Sequence, residues 1–496
     1  MSSFLLRALV TFTGACVLVV EILATRILAP HFGSSLYTLS SVLGVTLGAL
    51  SIGYYFGGIL ADKNPSWKTL GILLVLAGVT TLLIWPLSLF VLPSLGPALT
   101  GGSGPLIGSI LLFLVPCGIL GTFSPYAVAL EARFTPGHSA GRAAGNIFFW
   151  STLGSIAGSI AAGFTLIPLL GIKLLIACIG IALFGIGALI MLMTMKKGRG
   201  IGLLISCLFL AVSALSVAEK SEAVYAADGV YQRIIVQDVA LSDHTLRILW
   251  QDRNASSGIH LDHDDLAFEY TRPVAAAWTG REGPRRSLVI GAGAFIVPGF
   301  IAKALPEAEV DVVDIEPGLE EIATRFFRFE PSPRVHSIIA DGRTHVRDSE
   351  PYDLIIGDAY QATHAIPPHL TTQEFFTLVK EHLTEDGMFI GNFIGSIDIT
   401  KQTYLPAAMK TLLSVFPEGR FYGIQNPKTF EVQNVIFIAC KTETCIDPCS
   451  SAFKRSSDPV LSTLCEREVK VNPADLAMHS LLTDDYAPVE WLSIRE

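Results

Sequence analysis

Charged residues are scarce in this chain, and no stripe of basic residues runs through it. Asp, Glu, Lys and Arg make up 16% of the 496 residues, and the formal net charge is −9. The pI is about 5.7. Proteins that bind nucleic acid need clustered Lys and Arg to neutralise phosphates. The composition therefore argues against nucleic acid as a partner, whereas a small cationic ligand is compatible with it.

Two familiar motifs are incomplete. The glycine turn in SLVIGAGAFIVPGF, residues 287–300, continues from Gly293 into Ala294. It lacks the third glycine of a dinucleotide-binding GxGxxG, so no pyrophosphate turn is expected. The spacing of Cys440, Cys445 and Cys449 is not a familiar zinc pattern, and we expect no metal.

Long apolar runs, by contrast, are abundant in the first half of the chain. Hydrophobic residues make up 51% of the sequence. A helix needs roughly 20 apolar residues to cross a bilayer. Runs of about this length lie at 5–28, 36–60, 69–92, 106–130, 145–170, 172–195 and 201–218. We therefore predict that residues 1–218 form a multi-pass helical bundle of about seven spans in a lipid bilayer.

Basic residues and cysteines bear on the orientation of this bundle. The bias of Lys and Arg toward cytoplasmic loops places the N-terminus inside and residues 219–496 across the membrane. The basic residues lie in three loops of one side, namely Lys63 and Lys68, Arg133 and Arg142, and Lys196, Lys197 and Arg199. The polar C-terminal segment holds four cysteines, Cys440, Cys445, Cys449 and Cys465. An even count predicts one or two disulfides in an oxidising compartment, so both signals point outward.

The pattern changes from residue 231 onward. VYQRIIVQD and HTLRILWQD are β-rich and predict a small sheet within residues 219–280. Apolar strand cores then alternate with helix-length segments such as PGLEEIATRFFRF. This alternation predicts a Rossmann-like α/β domain over residues 281–496, with a doubly wound parallel sheet. Ligands of such sheets bind beyond the carboxyl ends of the strands.

Four predicted strands end in residues that suit an adenosyl ligand. Glycine lets the backbone approach a ligand, and a carboxylate some 20 residues on can bind ribose hydroxyls. A further acid can meet an adenine amino group. The strand ends are Gly291 and Gly293, then Asp314, then Asp341 and Gly342, and last Asp358 and Tyr360. We predict an adenosyl site at this edge of the sheet.

Residues of about 225–400 resemble spermidine synthases, the polyamine aminopropyltransferases, and the layout resembles the bacterial membrane-fused branch of that family. The motifs that carry the resemblance are GVYQRIIV, HDDLAFEY, DIEP, ADG, GDAYQATHAIPPHLTTQEFF and the tail TDDYAPVEWL. The resemblance implies an enzyme of the bacterial inner membrane that transfers an aminopropyl group from decarboxylated S-adenosylmethionine to an amine. It implies a nucleoside site at Gln232, Asp314, Ile315, Asp341 and Gly342, with Asp358 as general base and Tyr360 ordering the nucleophile. This donor is cytoplasmic, so the side of the catalytic domain stays open.

Three positions depart from the family pattern. Ala294 replaces an aspartate that pairs with the donor's ammonium, Gln361 replaces a second aspartate, and Glu269 replaces a histidine. We expect the amine site to use Glu269, Gln361, Asp484 and Asp485. One alternative is an S-adenosylmethionine-dependent methyltransferase with a membrane-associated acceptor. Another is a non-catalytic membrane scaffold or transporter with a nucleotide-sensing domain. The expected partners are a lipid bilayer and a small cationic amine, and a homodimer is compatible with the sequence.

Overall fold

The chain forms two compact units, unit 1 over Met1–Ser221 and unit 2 over Glu222–Glu496. The structure is a computed structural model. It describes residues 2–63, 65–98, 103–134, 140–194, 223–252, 254–360, 366–427, 429–442 and 446–495. The predicted seventh apolar run, 201–218, lies outside these residues.

Unit 1 is built from long apolar helices. In chain order they are α1 Ser3–Phe32, α2 Leu36–Lys63, α3 Trp67–Ala98, α4 Ser103–Gly121, α5 Phe123–Phe134, α6 Ala140–Ala161 and α7 Ile167–Thr194, with a π-turn at Ala162–Leu166. Within the described residues, five helical segments are long and apolar enough to cross a membrane: Ser3–Phe32, Leu36–Lys63, Trp67–Leu95, Ser103–Arg133 and Ala140–Thr194. The prediction of about seven spans thus stays a prediction.

The last of these segments, Ala140–Thr194, accounts for part of the difference between the five segments found and the seven spans predicted. It contains 55 residues, which at 1.5 Å per residue is about 80 Å, against a hydrocarbon core of about 30 Å. The segment bends at Gly171, where φ is 68°. Before the bend α6 packs on α1, and after it α7 packs on α3. The segment is long enough for two crossings, which correspond to the predicted runs 145–170 and 172–195.

Glycine brings the helices of unit 1 into close contact. A Cβ atom at Gly154 of α6 would collide with the backbone of Thr11 in α1, and one at Gly53 of α2 with the backbone of Gly118 in α4. Because apolar side chains gain nothing by leaving lipid, helix association in a bilayer depends on such close backbone packing.

Unit 2 begins with a four-stranded antiparallel sheet whose strands follow one another in space as in sequence. The strands are β1 Ala223–Asp228, β2 Arg233–Ala240, β3 Thr245–Gln251 and β4 Asn254–His260. The 3-10 helix Glu269–Ala277 follows and leads into the larger sheet.

The larger sheet has eight strands in the order β12-β10-β11-β9-β8-β5-β6-β7. They are β5 Arg286–Ile290, β6 Glu309–Asp314, β7 Val335–Ile339, β8 Tyr352–Gly357, β9 Leu383–Gly395, β10 Arg420–Gly423, β11 Gln433–Cys440 and β12 Glu468–Val469. Strands β9, β8, β5, β6 and β7 pair in parallel, which confirms the Rossmann-type α/β prediction. The other three strands pair antiparallel and make the sheet mixed.

Helices cover both faces of this sheet, and each face has its own apolar core. The parallel strands are buried on both sides, so their sequences are nearly continuous apolar runs. The longer helices are Ile296–Ala304, Leu319–Phe326, Gly342–Asp348, Gln373–Glu381 and Tyr404–Val415. Shorter ones are Ser451–Lys454, Pro459–Ser462 and Val489–Ser493, with 3-10 turns at Pro368–Leu370, Leu464–Arg467 and Pro473–Leu476.

The C-terminal cysteines are oxidised. Cys449 and Cys465 form a disulfide with their Cα atoms 5.0 Å apart. Cys440 is also disulfide-bonded, and Cys445 lies outside the described residues. The prediction of a disulfide in this segment is thereby confirmed for Cys449 and Cys465.

Candidate active site

The strand order reverses between β5 and β8, and this is where the candidate site lies. From β5 the chain proceeds outward through β6 and β7, and from β8 it proceeds the other way to β9. The carboxyl ends of β5 and β8 are joined directly, because the Asp358 N–H donates to the Ile290 carbonyl at 2.9 Å. Crevices at such reversals are the usual ligand sites of α/β sheets.

Gly291 makes this close junction possible. Its φ is +101°, and a Cβ atom there would collide with the backbone of Asp358. Both facts require glycine, since other residues rarely adopt positive φ. The turn therefore places the first glycine of the predicted site against the predicted general base.

Asp314 lies at the end of β6 and is held by the glycine turn. One carboxylate oxygen accepts from the Ala292 N–H at 2.8 Å and the other from the Glu316 N–H at 2.9 Å. Burial raises the pKa of Asp314. Each oxygen has a second lone pair, so the carboxylate has the acceptors that two ribose hydroxyls need. The neighbouring Ile315 is 44% exposed and available to cover a base.

Glu316 is a site residue that sequence reasoning missed. Its side chain is buried, with 3% relative exposure, and accepts from the N–H groups of Val230, Tyr231 and Gln232 at 2.7, 2.7 and 3.0 Å. The carboxylate thus ties the turn between β1 and β2 to the loop after Asp314. The sequence did contain a signal for this role. Glu316 is the second acid of the DIEP motif, two residues beyond Asp314, the predicted ribose ligand.

The hydrogen bond from its backbone N–H to Glu316 holds Gln232 near the site. Its amide nitrogen donates to the Tyr360 carbonyl at 3.4 Å, and its amide oxygen accepts from Gln251 at 3.0 Å. The structure therefore brings together Gln232 and the segment after β8, which are 128 residues apart in sequence.

Asp341 caps the helix Gly342–Asp348 at the end of the β7 segment. One oxygen accepts from the Thr344 N–H at 2.9 Å and the other contacts His369 Nε2 at 2.7 Å. Burial alone would raise the pKa of Asp341, but these hydrogen bonds outweigh it and lower the pKa below its usual value. Gly342 packs against Ile290 of β5, where a Cβ atom would collide with that side chain.

Asp358 carries the most perturbed carboxyl group of the site. Its Oδ1 accepts from Asn392 Nδ2 at 2.8 Å. Burial raises the pKa of Asp358 to about 7, because desolvation disfavours the charge more than Asn392 and the Tyr270 hydroxyl favour it. A carboxyl group that titrates near neutrality can take up and release a proton at physiological pH.

Asn392, which binds Asp358, is itself hydrogen-bonded to two other residues, Asn434 and Tyr360. Asn392 Oδ1 accepts from Asn434 Nδ2 at 3.0 Å, which fixes the orientation of its amide. The Tyr360 hydroxyl donates to the Asn392 carbonyl at 2.9 Å. Tyr360 thus contacts the backbone of the residue that binds Asp358, and its predicted role toward the nucleophile stays a prediction. Asn392 was not predicted from the sequence.

Of the residues predicted for the amine site, Asp484 has charged and polar partners in the structure. The two oxygens of Asp484 each bind Arg343 at 2.6 Å, and Thr372 donates to it at 2.8 Å. In the structure its charge is compensated by Arg343, and its predicted role toward an amine stays a prediction. Glu269 and Asp485 are exposed, and their role stays a prediction. Gln361 lies outside the described residues.

Ala294 is surrounded by apolar groups. Its side chain is fully buried in the cluster that contains Phe295, and its N–H donates to Ser257 Oγ at 2.9 Å. Among the residues that the structure describes, no group of three or more His, Cys, Asp or Glu is placed to hold a metal ion.

Unit 2 is similar in sequence to known proteins. The profile of the spermine/spermidine synthase domain family matches residues 279–448. A polyamine aminopropyltransferase of Vibrio vulnificus is 28% identical over 240 residues, covering 46% of this chain and 76% of that protein. Unit 2 contains a spermidine synthase-like domain. The Vibrio vulnificus relative is named as a transferase.

Two further proteins are similar to this chain. The human eEF1A lysine and N-terminal methyltransferase is 29% identical over 206 residues, which cover 38% of this chain and 28% of that protein. A probable spermidine synthase from Corynebacterium glutamicum, known as a crystal structure, is 22% identical with a TM-score of 0.40 and covers 47% of this chain and 88% of that one.

Proposed function

We propose that unit 2 transfers an aminopropyl group from decarboxylated S-adenosylmethionine to an amine, and that unit 1 anchors it in the bacterial inner membrane. The observation that carries the proposal is Asp358, a carboxyl group with a pKa near 7 at the junction of β5 and β8. Asp314 and Asp341 at the neighbouring strand ends offer acceptors for the ribose and the adenine of the donor.

The proposed reaction is a direct displacement. The acceptor arrives as an ammonium ion, and Asp358 takes one of its protons, which leaves a neutral amine with a free lone pair. The amine attacks the carbon next to the sulfonium, the carbon–sulfur bond breaks, and its electron pair stays on sulfur. The products are neutral methylthioadenosine and a secondary ammonium. Because the base has a pKa near the operating pH, both its charged and its protonated form are accessible in each cycle.

Membrane anchoring is supported by the five apolar segments of unit 1. Their length and composition suit a bilayer. We propose that the chain is a multi-pass membrane protein.

Methyl transfer from S-adenosylmethionine is the second candidate, and Ala294 favours it. An aminopropyl donor carries an ammonium at the end of the transferred group, and the glycine turn provides only a buried methyl group at this position. The eEF1A methyltransferase relatives show that similar sequences occur in proteins named for that reaction. The two candidates predict different products.

A product analysis with purified full-length protein distinguishes them. The protein is incubated with each donor and a panel of diamines, and the adenosyl products are separated by mass. Methylthioadenosine formed only in the presence of an amine supports aminopropyl transfer. S-adenosylhomocysteine with a membrane or protein acceptor would replace our proposal by the methyltransferase. The variant Asp358→Asn is the control and should bind donor without turnover.

A further inference from the structure

The C-terminal strap, residues 477–486, is hydrogen-bonded to a helix of unit 2. Lys410 Nζ donates to the His479 carbonyl at 2.6 Å, and the Leu482 N–H donates to Thr411 Oγ1 at 3.0 Å. The side chains of His479 and Leu482 are buried, with relative exposures of 4% and 0%. The strap therefore has fastenings that do not depend on the two aspartates that follow in it.

Asp484, the first of these aspartates, binds Arg343 with both carboxylate oxygens. Each oxygen accepts from a different guanidinium nitrogen at 2.6 Å, and Thr372 Oγ1 donates to Oδ1 at 2.8 Å. The relative exposure of the side chains is 26% for Arg343 and 43% for Asp484. Exposed ion pairs often contribute little to stability, but a bidentate arginine–carboxylate contact with a further donor fixes the orientation of both groups.

Arg343 connects Asp484 to the predicted adenine ligand, Asp341. Its Nη1 also donates to the His369 carbonyl at 3.2 Å. His369 Nε2 lies 2.7 Å from one carboxylate oxygen of Asp341, and the other oxygen accepts from the Thr344 N–H at 2.9 Å. The orientation of Asp341 thus depends on His369, and the backbone of His369 is bound by an arginine that Asp484 holds.

Asp341 remains accessible to a ligand in this arrangement. Its side chain is 36% exposed, and each carboxylate oxygen has a lone pair beyond the one used within the protein. An exocyclic amino group of a base can donate to such a lone pair only if the carboxylate is turned toward it. Small rotations of Asp341 should therefore change which bases the site accepts.

We propose that Asp484 and Arg343 are positioning residues that orient Asp341, through His369, for the adenine of the donor. The proposal rests on the proposed function, in which Asp341 accepts from the adenine. It assigns the tail motif TDDYAPVEWL to recognition of the nucleoside.

The test compares two nucleosides with the full-length variant Asp484→Ala. Methylthioinosine differs from methylthioadenosine in that a carbonyl oxygen replaces the 6-amino group, so it presents an acceptor to a carboxylate. Calorimetry should show that the parent protein prefers methylthioadenosine by roughly a hundredfold or more. Asp484→Ala should lower this preference about tenfold. A purely structural role would weaken both nucleosides by the same factor and leave the preference unchanged.

Three variants control the comparison. Asp475→Ala removes an exposed carboxylate just before the strap and should leave the preference unchanged. Arg343→Lys keeps the positive charge but loses the planar fork, so it should behave like Asp484→Ala. In the Asp341→Asn background, Asp484→Ala should have no further effect on the preference, because the acceptor that it positions is already gone. An equal effect of Asp484→Ala in both backgrounds would refute the proposal.

A measurement without ligand separates this proposal from the proposed function. Hydrogen exchange of peptides that cover residues 341–348 reports the hydrogen bond between Asp341 and Thr344. Asp484→Ala should speed this exchange, and Asp475→Ala should not. If the parent protein binds neither nucleoside, the proposed function is refuted, and faster exchange would still support the positioning of Asp341. If the parent protein prefers methylthioadenosine and Asp484→Ala keeps that preference, the proposed function stands and the role of Asp484 is refuted.

Discussion

Glu316 offers the most direct test of how the site is assembled. Its buried carboxylate accepts three consecutive backbone N–H groups, from residues 230, 231 and 232. The variant Glu316→Ala removes all three acceptors at once. A hydrogen bond to a charged group contributes about 1.5–3 kcal/mol. Water can replace part of the lost interaction in the space vacated, so we expect a total loss of about 3–5 kcal/mol for the local structure.

Hydrogen exchange by mass spectrometry measures this loss where it occurs. A local opening that becomes easier by about 3 kcal/mol speeds exchange about a hundredfold. Peptides that contain residues 230–232 should lose protection in Glu316→Ala, whereas peptides from β5 and β8 should keep it. Gln232 is part of the released turn, so donor affinity measured by calorimetry should weaken roughly tenfold.

Two variants control the experiment. Glu321→Ala changes an exposed glutamate of the helix Leu319–Phe326 and should alter neither exchange nor binding. Glu316→Gln keeps one acceptor oxygen but turns an amide NH2 toward a donor, so its effect should be intermediate. Unchanged protection of residues 230–232 in Glu316→Ala would show that the tie does not hold the turn.

Three further outcomes can be checked. The pKa of Asp358 is raised to about 7, so between about pH 4 and 7 the folded state binds more protons than the unfolded one and stability falls as pH rises. Asp358→Asn, which resembles the protonated form, should therefore be more stable than the parent protein at pH 8 by up to about 4 kcal/mol and equal to it at pH 4, as measured by urea unfolding. Gly291→Ala should abolish donor binding and destabilise unit 2, because the residue has positive φ and a Cβ atom there would collide with Asp358. The control Gly299→Ala should bind donor normally, because its Cβ atom would contact only Phe329, at 3.5 Å or beyond. An alkaline phosphatase fused to the C-terminus should be active, and Cys449 should resist alkylation. The reason is that the basic loops and the disulfide both favour the outer face of the membrane for unit 2. A fluorescent C-terminal fusion together with alkylation of Cys449 would instead place unit 2 in the cytoplasm.

The features that could be predicted from the sequence are those that local pattern determines. Apolar runs in the first half predict helices because burial in lipid depends on length and composition alone. The strand ends at Asp314, Asp341 and Asp358 follow from short apolar runs that stop at a polar residue. The parallel sheet then brings them to one edge, since parallel strands share a direction.

Contacts between distant segments were decided by the tertiary structure alone. Glu316 binds residues about 85 positions earlier, and Asp358 is oriented by Asn392, 34 positions later. Nothing in either local sequence shows the partner. The same holds for Asp484, which the sequence suggested for an amine and which the fold pairs with Arg343, 141 residues away. Whether a carboxylate is free, ion-paired or desolvated depends on the groups that pack against it. The sequence could therefore locate the acids of this site, but only the fold determined their partners and their pKa values.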